Sequence, residues 1–264
     1  MIPERPGLSD DRGPAPASAY GHTVTDPIYA DTRLAALYDV FDTPRDDLDA
    51  YFALAKELNA QRIVDLGCGT GTLPLKLAAP GRDVIGVDPA AASLDVARSK
   101  DGAHRVTWIE GDATAISPGL GADLVVMTGN AAQAILTDNV WATTLRHVNA
   151  ALRPDGYFVF ETRRPGRRAW EEWIETPPVT MDVPGIGPVE RHLEVTDVRL
   201  PLVTFRYTYR FLHDGTTITS DSTIRFRDRL ELETDLHSSG LHVDDVRQAP
   251  DRPGREFVLI TRRA

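Results

Sequence analysis

The chain has a single cysteine, Cys68, among its 264 residues. It can form no intrachain disulfide, and no thiol cluster is available to hold a metal. Basic residues are also scarce: 29 Lys and Arg stand against 39 Asp and Glu, a net charge of −10. Affinity for nucleic acid rests largely on cationic side chains that neutralise phosphates, so no nucleic-acid partner is expected. A local run of arginines at Arg163, Arg164, Arg167 and Arg168 reads as a solvated loop and helix start. No apolar stretch is long enough to cross a bilayer or to form a signal-peptide core, which leads to the expectation of a cytoplasmic protein without a membrane partner. No internal repeat is visible, and no His/Asp/Glu set has metal-ligand spacing. The remaining composition is ordinary for one α/β domain with an elaboration.

Residues Ile63 to Ala78 carry most of the information, reading IVDLGCGTGTLPLKLA. A short apolar run meets three alternating glycines, Gly67, Gly69 and Gly71, and a helix-compatible segment follows. Strand, tight turn and helix start are implied. Glycine lets backbone turn sharply and approach a ligand closely, and a helix start offers unpaired N–H groups. A second strand, Val84 to Asp88, ends in an acid that can accept hydrogen bonds from both ribose hydroxyls. The spacing is not that of a dinucleotide fingerprint, because the third glycine comes one residue early. Asp65, just ahead of the turn, would also disfavour a pyrophosphate and suits a cationic or zwitterionic ligand.

The segment Asp65-Leu66-Gly67-Cys68-Gly69-Thr70-Gly71 resembles motif I of class I S-adenosylmethionine-dependent methyltransferases, and Asp88 matches the acid of motif II. The resemblance covers roughly residues 30–162 and 228–264. It implies a doubly wound, Rossmann-like α/β sheet of seven strands in the order 3-2-1-4-5-7-6, with strand 7 antiparallel. It also implies S-adenosyl-L-methionine as cofactor, with S-adenosyl-L-homocysteine as product. Gly67 and Gly69 would bring backbone against the methionine portion, and Asp88 would hold the ribose. Asp112 would receive the adenine amino group or, alternatively, cap its turn, and Ala113 would offer a backbone N–H to the ring. Pro89 would pack on adenine or merely start a helix. Cys68 is a small packing residue within the turn. Tyr38 resembles an aromatic that covers the cofactor and equally suits a helix core.

The same reading organises the rest of the chain. Residues 1–25 are rich in Pro, Gly, Ser and Asp and are expected to form a mobile tail ahead of a single domain, 26–264. Residues 26–60 carry two amphipathic patterns, from Thr32 and from about Asp46 to Leu58, expected as helices capping the site. Alternating strand and helix patterns follow to Thr162. Residues 174–227 are expected to form an inserted antiparallel sheet, with strands near 189–198, 203–213 and 216–227. Phe205, Tyr207, Tyr209 and Phe211 alternate there with polar residues. One face of this sheet must be buried, and the other is expected to wall an acceptor cavity or to support a homodimer.

Methyl transfer from a sulfonium is an in-line displacement, so positioning can supply much of the catalysis and a general base is optional. Thr128, Gly129 and Asn130 end the fourth strand, at the place of motif IV, but lack the Asn/Asp-Pro-Pro-aromatic signature of some nucleobase and amide methyltransferases. Asn130 is expected to touch the acceptor or cofactor, or to cap a turn. Glu161 and Arg163, at the end of the fifth strand, are the other catalytic candidates. The expected function is methyl transfer to an oxygen or nitrogen of a small molecule. The rival readings are a cofactor-binding protein of this fold without methyl transfer, and an NAD-linked oxidoreductase.

Overall fold

The computed structural model describes residues 25–263. Apart from Thr25, the expected tail of residues 1–25 lies outside the described residues. The described chain opens with α1 (Pro27–Ala30), α2 (Thr32–Phe41) and α3 (Leu48–Glu57). Strands and helices then alternate: β1 (Arg62–Leu66), α4 (Thr72–Leu77), β2 (Asp83–Asp88), α5 (Ala91–Ser99), β3 (Val106–Glu110), β4 (Ala122–Met127), α6 (Asp138–Ala151) and β5 (Leu152–Arg163). A short α7 (Ala169–Ile174) leads to β6 (Val179–Val183), β7 (Gly187–Arg199), β8 (Leu202–Phe211) and β9 (Thr217–Arg225). The chain closes with α8 (Arg229–Ser238), β10 (Leu241–Arg247) and β11 (Glu256–Arg263).

The large sheet has seven strands in the order β3-β2-β1-β4-β5-β11-β10. β1 to β5 pair in parallel, and β11 runs antiparallel to both β5 and β10. This is the expected 3-2-1-4-5-7-6 order, with the last strand reversed. Central parallel strands are covered on both faces and therefore carry apolar residues without alternation. In β4, Val125 and Met127 join a core under α6 and α8 with Trp141, Leu145 and Leu232. Leu124 and Val126 join the opposite core with Leu54, Leu73 and Leu77 from α3 and α4. The helix starts are set locally. Thr137 accepts from the Val140 N–H at 3.3 Å and Asp228 from the Glu231 N–H at 2.8 Å, each acting as an N-cap.

The inserted sheet has four strands, β6-β7-β8-β9, all antiparallel. Three were expected. β6 was hidden because Pro177, Pro178 and Pro184 flank it. It is an edge strand paired only with β7, where prolines at the ends are tolerated. The aromatic row of β8 also departs from expectation, since a single face does both jobs. Tyr209 and Phe211 are buried against Ile28, Leu34 and Leu37 of α1 and α2, while Phe205 and Tyr207 continue the row into a cleft. The opposite face is polar, with Arg206 paired to Asp221 at 2.7 Å and Arg210 to Glu190 at 3.4 Å. Of the two helices expected as a cap, α2 covers the site and α3 lies in the layer against the large sheet; α1, which was not expected, adds to the cover.

Candidate active site

In open α/β sheets, ligands sit beyond the carboxyl ends of the strands, where strand order reverses. Here the reversal lies between β1 and β4, and the glycine turn follows β1. The three glycines have different reasons. A Cβ at Gly69, where φ is +53°, would meet nothing within 4 Å, so the space above it is open. A Cβ at Gly71 would lie 2.5 Å from the Trp108 ring and 2.8 Å from Ala97 Cβ, so that glycine serves packing. Gly67 is close against Ala131 of the turn after β4. Cys68 is buried, and burial pushes its thiol up, as suits a packing residue.

Within the turn itself, most backbone N–H groups are already engaged. Those of Gly67 and Cys68 donate to the Val87 carbonyl at 2.8 and 3.1 Å, and that of Gly71 to the Cys68 carbonyl at 3.0 Å. The Gly69 N–H donates to Asp88 Oδ2 at 2.7 Å. Such a turn is a poor pyrophosphate cradle. Asp88 Oδ1 accepts from the Ala90 N–H at 2.8 Å, so both carboxylate oxygens are oriented by backbone and retain lone pairs for further donors. Burial holds its carboxyl above the usual range.

Asp65 is 1% exposed, and its Oδ1 has no hydrogen-bond partner among the described residues. Burial and the neighbouring Asp88 push its carboxyl up to about 8, against the opposing effect of Arg45. The raised value means that the folded protein holds a proton which the unfolded chain releases. The associated stability is full below the unfolded carboxylate range and is lost as pH rises towards 8. Asp65→Asn is therefore expected to be more stable than the parent, by a margin that widens between pH 5 and 8, at up to about 1.4 kcal/mol per pH unit. Urea unfolding of both proteins across that range is the check; a constant margin would contradict it.

The cap is tied to the turn by Asp39 of α2. Thr70 Oγ1 donates to Asp39 Oδ1 at 2.6 Å, and Lys100 Nζ lies 2.5 Å from Asp39 Oδ2. Tyr38 and Tyr29 face each other with ring centroids 5.8 Å apart, and both line the cleft. Pro89 is exposed and precedes Ala90, the N-cap of α5, so it is not the first helical residue. Asp112 Oδ1 accepts from the Thr114 N–H at 2.9 Å and from its hydroxyl at 2.6 Å, which is the turn-cap geometry. Ala113 and Thr128 are buried beside this region.

The three catalytic candidates belong to one polar network. Asn130, at φ +60°, donates its backbone N–H to Glu161 Oε1 at 3.2 Å and its Nδ2 to Glu256 Oε1 at 2.9 Å. Glu161 is 2% exposed and accepts from the Tyr51 hydroxyl. It does not line the cleft. Burial and Glu256 hold its carboxyl above the usual range. Glu161 thus fixes the turn after β4 from below. Arg163 does line the cleft and donates to Gln133 Oε1 at 3.0 Å; burial lowers its pKa. Tyr51→Phe is expected to destabilise the fold by about 1–3 kcal/mol, because a buried carboxylate loses its donor. An unchanged urea midpoint would contradict this.

A cleft of about 370 Å³ opens between this turn, the cap and the inserted sheet. Its walls include Tyr29, Tyr38, Asn130, Trp173, Phe205 and Tyr207. No histidine lines it. A separate surface depression of about 510 Å³ along α8 and β10 shares no residue with it. Arg45, Tyr51 and Glu256 were not anticipated from sequence. Tyr51 and Glu256 matter through partners distant in the chain, and no local pattern marks them. Among the described residues, no group of three or more His, Cys, Asp or Glu side chains could hold a metal. No described helix is long and apolar enough to cross a membrane.

Residues 63–156 match the family model of a methyltransferase domain. Over 137 residues the chain is 30% identical to the cypemycin N-terminal methyltransferase of a Streptomyces species, covering 50% of this chain and 56% of that protein. The chain spans about half the length of the curated relatives it matches. Its fold is similar to that of a sugar N-methyltransferase from a Streptoalloteichus species, with a TM-score of 0.68 and 18% identity, covering 96% of this chain and 99% of that one. It is similar also to an amino pentose methyltransferase from Micromonospora echinaspora, solved with S-adenosylmethionine bound, at a TM-score of 0.66 and 22% identity over 87% and 95% of the two chains. Residues 63–156 thus match a methyltransferase domain, and the fold is that of solved S-adenosylmethionine-dependent methyltransferases.

Proposed function

We propose that the chain transfers a methyl group from S-adenosylmethionine to an oxygen or nitrogen of a small-molecule acceptor. The observation that carries this reading is the open space over Gly69, flanked by the Asp65 and Asp88 carboxylates, beside a cleft that begins at Asn130. The unpartnered Asp65 oxygen suits the amino group of the methionine portion, and Asp88 suits the ribose. Asp112, Ala113 and Pro89 would surround the adenine, with Cys68 packed beneath the turn. Thr128 and Tyr38 would flank the sulfur end.

S-adenosylmethionine supplies a methyl group already activated on a sulfonium. The protein then has to hold a nucleophile in line with that methyl and keep water away. The cap and aromatic wall fit the second task. Solved relatives of the same fold act, by their names, on an amino pentose and on a sugar nitrogen, which supports a small acceptor. The expected homodimer through the inserted sheet would use the polar outer face or the exposed Leu200 and Leu202 at the β7–β8 turn.

Calorimetric titration is expected to show S-adenosylhomocysteine binding and no NAD binding. Incubation with labelled S-adenosylmethionine and a small-molecule extract is expected to give a labelled product. Binding without any labelled product would favour a cofactor-binding protein that does not transfer methyl. Binding of NAD alone would favour the oxidoreductase reading.

A further inference from the structure

The charged residues that line the cleft are four arginines and four aspartates, with no lysine, histidine or glutamate. Three of the aspartates have arginine partners. Arg45 pairs with Asp42 at 3.6 Å and Asp47 at 3.1 Å, and Arg252 pairs with Asp251 at 2.7 Å. The other two arginines are engaged elsewhere. Arg163 bonds Gln133 and faces Glu256 at 3.9 Å. Arg191 lies over the Phe41 and Tyr207 rings, at 4.7 and 5.2 Å from their centroids, and donates to the Phe41 carbonyl. Asp26 is the charge left over. Among the described residues it has no ion pair, and the group facing it is the neutral Ser222 hydroxyl.

We propose that Asp26 receives the ammonium form of the acceptor, and that the acceptor of this enzyme is a primary or secondary amine. The inference rests on the methyltransferase reading above and deepens it. Asp26 stands at the start of α1, which is held from both sides. The Ile28 N–H donates to Ser220 Oγ of the inserted sheet at 2.9 Å, and Ser93 Oγ of α5 donates to the Tyr29 carbonyl at 2.9 Å. Tyr29 connects Asp26 to the cofactor side. Its phenol is raised mainly by burial, and the charges of Asp26 and Asp88 both act on it. The rings of Tyr29, Tyr38, Phe205 and Tyr207 suit a cation, since aromatic faces attract one. Burial and nearby Asp221 hold the Asp26 carboxyl above its usual range, and a bound ammonium would relieve that.

In the reaction, the ammonium first gives a proton to Asp26, which passes it to bulk water. The nitrogen lone pair then forms the new N–C bond as the C–S bond breaks. The electron pair of that bond goes to sulfur, leaving a neutral thioether and an N-methylammonium product. No external oxidant or metal is needed.

The test uses one ring with three charges: tyramine, the neutral alcohol tyrosol, and 4-hydroxyphenylacetate. Each is titrated by calorimetry into protein saturated with S-adenosylhomocysteine. Tyramine is expected to bind at least about tenfold more tightly than the other two, the scale of a hydrogen bond to a charged group. Asp26→Asn is expected to remove that preference while S-adenosylhomocysteine affinity stays within about twofold, which also controls for folding. Ser222→Ala, which leaves the carboxylate in place, is expected to reduce the preference without abolishing it. Equal or weaker binding of tyramine, or a preference that survives in Asp26→Asn, would overturn the proposal. Failure of S-adenosylhomocysteine to bind the parent protein would overturn the methyltransferase reading itself, and this inference with it.

Discussion

Gly69→Val is expected to bind no measurable S-adenosylhomocysteine while remaining folded. At φ +53° a β-branched residue is strained, at a cost of about 1–3 kcal/mol. A domain whose two cores are formed elsewhere should tolerate that strain. The side chain would project into space that is empty of protein and assigned to the ligand. Gly71→Ala should behave in the opposite way. Its Cβ would collide with Trp108 and Ala97, so the expected result is about 1–3 kcal/mol of lost stability from overpacking. Affinity measured on the folded fraction should change far less. Thermal unfolding and calorimetry on both variants separate the two outcomes. Native affinity in Gly69→Val would show that the turn is not the cradle.

Asp88→Ala is expected to weaken S-adenosylhomocysteine binding by roughly tenfold to a hundredfold, the value of about 1.5–3 kcal/mol for a hydrogen bond to a charged acceptor. The structure adds a second contribution. Asp88 also orients the Gly69 and Ala90 N–H groups, so its loss would loosen the turn as well as remove the proposed ribose contact. Asp88→Asn retains one acceptor oxygen and should fall between the parent and Asp88→Ala. Unchanged affinity in a folded Asp88→Ala variant would remove this residue from the site.

The strand, turn and helix from Ile63 to Ala78 were legible because each part obeys a local rule: an apolar run, left-handed glycines and a helix start. The alternation of β8 was legible for the same reason. Its use of one face for both core and cleft was not, because that depends on α1 and α2 folding back over half its length. β6 was obscured by the prolines at its ends. The roles of Glu161 and Asn130 were obscured by distance in sequence. Tyr51 and Glu161 are 110 residues apart, and Asn130 and Glu256 are 126 apart. Periodicity carries no signal for a buried polar pair of that separation. The packing role of Gly71 was hidden for a related reason, since the ring it accommodates comes from β3.

The measurement that bears most directly on the central claim is a crystal structure of the protein with S-adenosylhomocysteine. The ribose hydroxyls are expected within hydrogen-bond distance of Asp88, with the homocysteine chain lying over Gly69 and its amino group near Asp65. The sulfur should point into the cleft beside Asn130. A nucleoside bound instead through residues 189–227, or at the α8–β10 depression with the glycine turn left bare, would contradict the account.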